Sequence, residues 1–412
     1  MRNKTSLSNR LHIGLFGRRN VGKSTLINAF TGQNIAIVSD VPGTTTDPVY
    51  KAMELHDIGP VVLIDTGGID DEGPLGQARV KKAYKVLHKT DLALLVVDKT
   101  IGLSGPEEAL LKEIKKCHIP VLVVLNKSDL NRSNEELIET LTSEKRPYIE
   151  VSALKKNGID TLREMIVKMT PSDFERKRIL SDLVRTKDTV VIVAPLDMEA
   201  PKGRLKVPQV QTIRDLLDHN CTTIVVKETE LPGVLENLKE KPALAIVESQ
   251  IYGTIKDILP EDIPLTSFSV LYARYKGELD ILAAGIQAIE NLKANDRVLI
   301  AEACTHHPIG DDIGRVVIPR LLNEPFKEKG EGVIIDHSVG YDFPDDLKKY
   351  KLIIHCGGCM LNCRDMLSRL ETARVQGVPI TNYGMVIAYM HGILERAVKP
   401  FQNRPEQVPV SV

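Results

Sequence analysis

The sequence predicts an α/β protein: a phosphate-binding domain followed by two smaller α/β units. Three observations carry this. The apolar run Leu11–Phe16 reads as a strand, and Ser24–Phe30 reads as a helix. Between them, Gly17-Arg18-Arg19-Asn20-Val21-Gly22-Lys23-Ser24 fits G-x-x-x-x-G-K-S at every required position. Strand-like runs then alternate with helical stretches to the end of the chain, which is the order that builds parallel sheets.

The first unit is expected over residues 1–171. Backbone N–H groups of Gly17, Asn20, Val21, Gly22, Lys23, Ser24 and Thr25 would wrap nucleotide phosphates. Lys23 would reach the β- and γ-phosphates, and Ser24 would hold Mg²⁺. Asp65-Thr66-Gly67-Gly68 follows the strand Val61–Ile64. Asp65 at that strand end can hold Mg²⁺ through water, and the Gly68 amide can sense a γ-phosphate. Asn126-Lys127-Ser128-Asp129 follows the strand Val121–Leu125. The Asp129 carboxylate can accept two hydrogen bonds from guanine, a pair that adenine does not offer. Ser152-Ala153-Leu154, after the strand Tyr148–Val151, sits where a loop would cap the base. Pro42–Asp47 lies where a switch segment would bring Thr45 to Mg²⁺. Five such elements in order point to GTP binding and hydrolysis.

These motifs resemble the Era and MnmE-like branch of small bacterial GTPases. Ile69 stands where Ras-type proteins carry a water-orienting Gln, so hydrolysis is expected to be slow or to use another group. Asn20 occupies the position at which K⁺-dependent members of that branch bind potassium. The resemblance therefore implies K⁺ stimulation, with the ion acting as an arginine finger would. Asp70, Asp71 and Glu72 are the nearby carboxylates able to orient water, and the sequence does not choose among them.

Charge and composition bound the remainder. At 412 residues the chain is long enough for two to three domains. Lys and Arg total 54 against 55 Asp and Glu, which gives no general reason to expect nucleic acid or membrane binding. No apolar run approaches the ~18 residues needed to span a bilayer. Met1–Arg10 is polar and has no signal-peptide core, so a soluble cytoplasmic protein is expected. Six cysteines in such a chain suggest metal or redox chemistry, or burial, rather than a disulfide framework.

Residues 172–187 read as a charged linker. Residues 188–264 form a second α/β unit with strands Thr189–Ala194, Thr222–Val226 and Ala243–Val247. It holds no phosphate loop and no acid, base or nucleophile cluster, which makes it a candidate dimerisation domain. Cys221 reads as a turn or packed cysteine. The third unit is expected over residues 265–412. An amphipathic helix is expected at Gly277–Leu292, and a helix at Tyr383–Ala397 closes the unit. Strands are expected at Arg297–Ala301, Gly332–Ile335 and Lys351–Ile354, with a helix at Cys363–Gln376.

A second chemical constellation lies in that third unit. Cys304-Thr305-His306-His307 follows one strand, and His355-Cys356-Gly357-Gly358-Cys359 follows another. If those strands are parallel neighbours, both motifs emerge at one carboxyl edge, where open α/β sheets build sites. Three thiolates can bind three irons of a [4Fe–4S] cluster and leave the fourth open. They can equally join His306 in a closed zinc site. A redox pair and simple packing also remain in play on the residues alone.

The combination resembles the HydF family of GTPase maturation factors of [FeFe]-hydrogenases. That family carries C-x-H, a long spacer, then H-C-x-x-C. Here Cys304-x-His306 and His355-Cys356-x-x-Cys359 are separated by 48 residues. The resemblance implies a [4Fe–4S] cluster on Cys304, Cys356 and Cys359. His306 and His355 would supply surrounding hydrogen bonds or the fourth position. It also implies a homodimer made by the middle domain. It further implies a carrier role: receipt of a diiron precursor from the radical-SAM enzymes HydE and HydG, and delivery to the apo-hydrogenase HydA. Cys363 is not part of the pattern. A labile water, His306, Glu302 or Cys363 are the candidates for the fourth iron. Two other classes are an RNA- or ribosome-directed GTPase with a zinc-stabilised domain, and a cluster-based redox protein.

Overall fold

The computed structural model describes residues 6–32, 48–71, 73–130, 134–171, 178–195, 205–303, 311–340 and 343–402. The chain divides into two compact units, 1–176 and 177–412.

The first unit contains six strands: β1 (Leu11–Phe16), β2 (Val49–Leu55), β3 (Gly59–Asp65), β4 (Leu92–Asp98), β5 (Val121–Asn126) and β6 (Tyr148–Glu150). Their order across the sheet is β2-β3-β1-β4-β5-β6. All pairs are parallel except the β2–β3 hairpin, which turns between Leu55 and its partner Gly59. β1 and β4 are buried along their whole length, as strands covered on both faces must be, and this is why they read as unbroken apolar runs. Leu26, Ile27 and Phe30 of the helix Lys23–Thr31 share one core with Leu162 and Ile166 of Ile159–Met169. Val86, Leu110, Ile114, Leu137 and Leu141, from three other helices, form the other core. Strand β1 has β3 on one side and β4 on the other. Its carboxyl end is therefore a topological switch point, where a crevice opens.

The second unit holds two four-stranded parallel sheets. One contains β7 (Thr189–Val193), β8 (Thr222–Val226), β9 (Leu244–Val247) and β10 (Leu265–Ser267), in the order β10-β9-β7-β8. The sheet extends past the expected domain boundary at 264, because Leu265–Ser267 pairs with Ala245–Val247 and supplies its fourth strand. The other sheet contains β11 (Arg297–Glu302), β12 (Ile334–Val339), β13 (Leu352–His355) and β14 (Ile380–Asn382), in the order β12-β11-β13-β14.

Two expected helices are broken. Gly277–Leu292 resolves into Leu279–Ala284 and Gln287–Glu290 around Gly285. There the backbone lies against β14, and a Cβ on Gly285 would come within 2.0 Å of the Ile380 carbonyl oxygen. Tyr383–Ala397 resolves into Tyr383–Met390 and Leu394–Val398, parted at Gly392, whose φ of 70° ends the first helix. Among the described residues, no helix is long and apolar enough to cross a membrane.

Candidate functional sites

The phosphate loop leaves β1 and turns into the helix Lys23–Thr31 as expected. Gly22 has φ 93°, and a Cβ there would lie 2.3 Å from the Asn126 amide nitrogen. Only glycine permits this turn against the Asn126 side chain. Lys23 is buried, and its Nζ donates to the carbonyls of Gly17 and Arg18, each at 2.8 Å. Burial pushes its pKa down to about 8, against the opposing pull of Asp65, Asp70, Asp71 and Glu107.

Ser24 Oγ donates to Asp65 Oδ2 at 2.8 Å. Burial raises the Asp65 carboxyl, opposed by this bond and by Lys23. Asp65 Oδ1 is buried without a hydrogen-bond partner among the described residues. An orphaned carboxylate oxygen beside the Ser24 hydroxyl suits a hydrated divalent cation. Thr45, the third expected contributor, lies outside the described residues.

Asn126 joins three loops. Its Nδ2 donates to Val21 O at 2.8 Å, and its Oδ1 accepts from Ala153 N at 3.0 Å. Asp129 is oriented by Ser152, whose Oγ donates at 2.6 Å, and this bond holds its carboxyl below the usual value. Asn20, Gly22, Thr25, Asn126, Lys127 and Asp129 line an open cavity of about 270 Å³, with Ala153 and Leu154 also at its wall. The structure thus brings together the base-reading residues expected from sequence, with Asn20 facing the same space.

Several partners of these residues were not foreseen. Asp98, at the end of β4, accepts from Lys127 Nζ at 2.6 Å and anchors the loop that carries Lys127 and Asp129. Arg18 pairs with the fully buried Glu107 and donates to Gly102 O at 2.8 Å. The Asp70 carboxylate accepts the Arg19 amide at 2.8 Å, and the Arg19 side chain reaches Asp71 at 3.2 Å. A Cβ on Gly68 would lie 2.5 Å from Arg19 Cγ, so glycine is what lets this segment approach the phosphate loop. Each pairing joins residues about 30 or more apart in sequence, where local patterning carries no signal.

The cysteine site has the topology its motifs required. β11 and β13 are parallel neighbours, with Ala301 beside His355. β12 flanks β11 on the other side, so the carboxyl ends of β11 and β13 lie at a switch point. Cys304, His306 and His307 lie outside the described residues. The last described residue before them, Ala303, donates its N–H to Cys356 Sγ at 3.1 Å. The chain therefore enters that segment beside the thiol. Gly358 N donates to the same sulfur at 3.4 Å.

His355 is fully buried. Its Nδ1 lies 2.7 Å from Cys356 O, and its Nε2 lies 3.1 Å from Arg369 Nη1. Because Arg369 can only donate, Nε2 accepts and Nδ1 carries the proton. Arg369 is itself held by Asp365 at 3.2 Å and Gly340 O at 3.0 Å. Both ring nitrogens are thus occupied, which assigns His355 to orienting the loop and leaves no nitrogen for the fourth position. Burial, then Arg369, pushes its pKa from 6.5 to about 3. Glu302 is similarly engaged, by Tyr383 OH at 3.3 Å and Arg315 at 3.2 Å. Cys363 opens the helix Cys363–Val375, and its Sγ lies 3.6 Å from Tyr275 O. Burial raises the Cys359 thiol pKa, opposed by Lys276.

A pH prediction follows for His355. Its folded pKa lies below the unfolded value, so the unfolded chain binds more protons between about pH 3 and 6.5. Stability is full above that window and falls on acidification, by up to ~1.4 kcal/mol per pH unit. Urea midpoints of the metal-free chain between pH 4 and 7 should show a shallower slope in His355→Gln. An unchanged slope would refute the assignment.

Family models match three consecutive stretches of the chain. A 50S ribosome-binding GTPase model matches residues 12–127. A hydrogen maturase F dimerization domain model matches 179–277, and a hydrogen maturase F tetramerization domain model matches 280–400. GTPase Era of Caldicellulosiruptor saccharolyticus is 32% identical over 237 residues, spanning 53% of this chain and 77% of that protein. The tRNA modification GTPase MnmE of Nitrosomonas europaea is 36% identical over 163 residues, spanning 39% of this chain but only 35% of that protein. A crystal structure of Aquifex aeolicus Era bound to GDP.AlF4- matches at 23% identity and a TM-score of 0.36, over 55% of this chain and 97% of that one.

Proposed function

The chain belongs to the hydrogen maturase F (HydF) family of hydrogenase-maturation GTPases, and from that premise we propose that it is a GTP-hydrolysing scaffold and carrier. It receives a diiron precursor from the radical-SAM maturases HydE and HydG and delivers it to apo [FeFe]-hydrogenase, HydA. It works in the cytoplasm as a homo-oligomer, and the domain pair at 179–277 and 280–400 supports dimers and higher assemblies.

One observation carries the carrier reading. The parallel pairing of β11 with β13 brings Ala303 and the loop His355–Cys359 to the same sheet edge, where the Ala303 amide donates to Cys356 Sγ. The donor chemistry fits an iron–sulfur group: thiols, amide N–H groups directed at sulfur, and a buried cation nearby. Cys304, Cys356 and Cys359 would hold a [4Fe–4S] cluster. Bound there, it would supply an iron open to an exchangeable ligand. His355, locked by Arg369, keeps the loop in register, and Arg315 and Tyr383 hold Glu302 in place beside it.

In the GTPase domain, Lys23 neutralises charge on the β- and γ-phosphates, and Ser24, Thr45 and Asp65 hold Mg²⁺. Asp129 reads guanine, and Gly68 senses the γ-phosphate. Asn20 holds K⁺. Asp70 and Arg19 fasten the segment 66–72 to the phosphate loop. Their bonds break and remake as the γ-phosphate comes and goes, and with segment 34–47 they report the nucleotide state to partner proteins.

The chain purified after co-expression with HydE and HydG should activate apo-HydA, and the chain expressed without them should not. Equal activation by both would contradict the carrier role. Asp129→Asn should move base preference from guanine toward xanthine, because an amide donates where the carboxylate accepted. Competition binding with GTP and XTP checks this, and an unchanged GTP preference would remove Asp129 from base recognition. Exchanging K⁺ for Na⁺ should slow hydrolysis, and Asn20→Ala should abolish that difference. Equal wild-type rates in the two salts would end the potassium assignment.

A further inference from the structure

We propose that Lys276 is a built-in buried cation that balances the negative charge of the cysteine loop and raises the reduction potential of the group held there. This rests on the cluster reading above and adds a positioning residue to it.

Lys276 ends the helix Phe268–Lys276, which follows β10 of the middle sheet. It is 1% exposed. Its Nζ donates to Gly358 O at 3.2 Å, Cys359 O at 2.9 Å and Leu361 O at 2.7 Å. Three carbonyl oxygens around one nitrogen use all three N–H bonds of an ammonium, whereas a neutral amine has only two. The geometry therefore describes a charged lysine. Among the described residues no carboxylate forms an ion pair with it, and the Tyr272 ring lies 5.4 Å away. A buried charge without a counter-charge is costly, and carbonyl dipoles offset only part of that cost. The groups nearby that can turn negative are the thiols of Cys359, Cys363 and Cys356. The missing counter-charge is thus supplied when the loop carries thiolates and the anionic group they bind.

The cation is held from the middle domain. On the same helix, Tyr272 donates to Gln211, and Arg274 pairs with Asp182 and reaches Asp182 Oδ1 at 3.0 Å. The Tyr275 carbonyl lies 3.6 Å from Cys363 Sγ. One helix therefore ties the dimerization region to the cysteine loop. A fixed positive charge favours the more reduced, more negative state of a neighbouring cluster.

The alternative is a lysine that merely caps three carbonyls. Lys276→Gln keeps N–H donors without charge, and Lys276→Arg keeps the charge. The test is an EPR-monitored redox titration of full-length, anaerobically reconstituted protein, with circular dichroism and GTPase rate reporting the fold. At a given potential, Lys276→Gln should lower the reduced-to-oxidised ratio tenfold or more, a shift of at least 59 mV to lower potential for one electron. Lys276→Arg should stay near wild type. A folded Lys276→Gln that holds no cluster, beside a Lys276→Arg that does, also supports a required charge. Equal potentials in Lys276→Gln and wild type would overturn the inference alone. So would loss of the cluster in both folded variants, which would assign a purely steric role. A wild type that takes up no cluster would overturn the cluster reading, and the inference with it.

Discussion

Lys23→Ala should lower GTP hydrolysis by ~100-fold or more, the scale on which removing one preorganised charge donor from a transition state acts. Lys23 is 8% exposed and is held by the Gly17 and Arg18 carbonyls, which aim its ammonium along the loop that would wrap the phosphates. Its position is fixed before nucleotide arrives, so its charge is delivered without reorganisation. Alanine removes the charge and keeps Gly22 and the turn. The folded domain should therefore persist while turnover is lost.

The same site carries a pH signature. With a free-protein pKa of about 8, Lys23 loses its proton as pH rises through that value. The second-order rate kcat/KM for GTP reports free-enzyme ionisations, so it should fall above about pH 8 and approach a tenfold loss per unit. That limb should be missing from the residual activity of Lys23→Ala. Delivery of the diiron unit to HydA should fall with hydrolysis. Delivery by Lys23→Ala at the wild-type rate would detach the GTPase from the carrier function.

Cys356→Ala and Cys359→Ala should each abolish stable iron–sulfur binding and leave GTP hydrolysis intact. Each removes one of three thiolates, and two cannot hold three irons of a cubane. Cys356 is the sulfur on which the Ala303 and Gly358 amides converge, so its removal also unties residue 303 from the loop. GTP turnover is spared because the phosphate loop and the cysteine loop belong to different compact units. Cys363→Ala is the control. Its sulfur contacts the Tyr275 carbonyl, and its loss should leave iron content unchanged. Iron quantification with absorbance near 400 nm, measured alongside phosphate release, decides this. A cluster that survives Cys356→Ala but not Cys363→Ala would transfer the ligand role to Cys363.

The parts legible in the sequence were those encoded locally. A phosphate loop needs Gly22, Lys23 and Ser24 in fixed order, and base reading needs Asn126 and Asp129 beside each other at a strand end. A local pattern therefore marks both. The adjacency of β11 and β13 was legible as a condition, since β-α-β order makes parallel neighbours common without saying which strands pair. Other features depend on contacts between distant segments. Lys276 reads in isolation as a solvated lysine at a helix end, yet it is buried under a loop more than 80 residues away. Arg369 decides the role of His355 from a separate helix. Strand β10 is three residues long, too short for alternation to show, and only its partner β9 identifies it. Gly285 breaks a helix through contact with β14, about 95 residues further on.

The proposed exchangeable iron–sulfur site is tested most directly by EPR of the anaerobically reconstituted, dithionite-reduced protein during titration with imidazole. A [4Fe–4S]⁺ signal that changes as imidazole takes the open iron is expected. A protein that binds zinc tightly and shows no iron–sulfur signal, or a signal indifferent to imidazole, would contradict it.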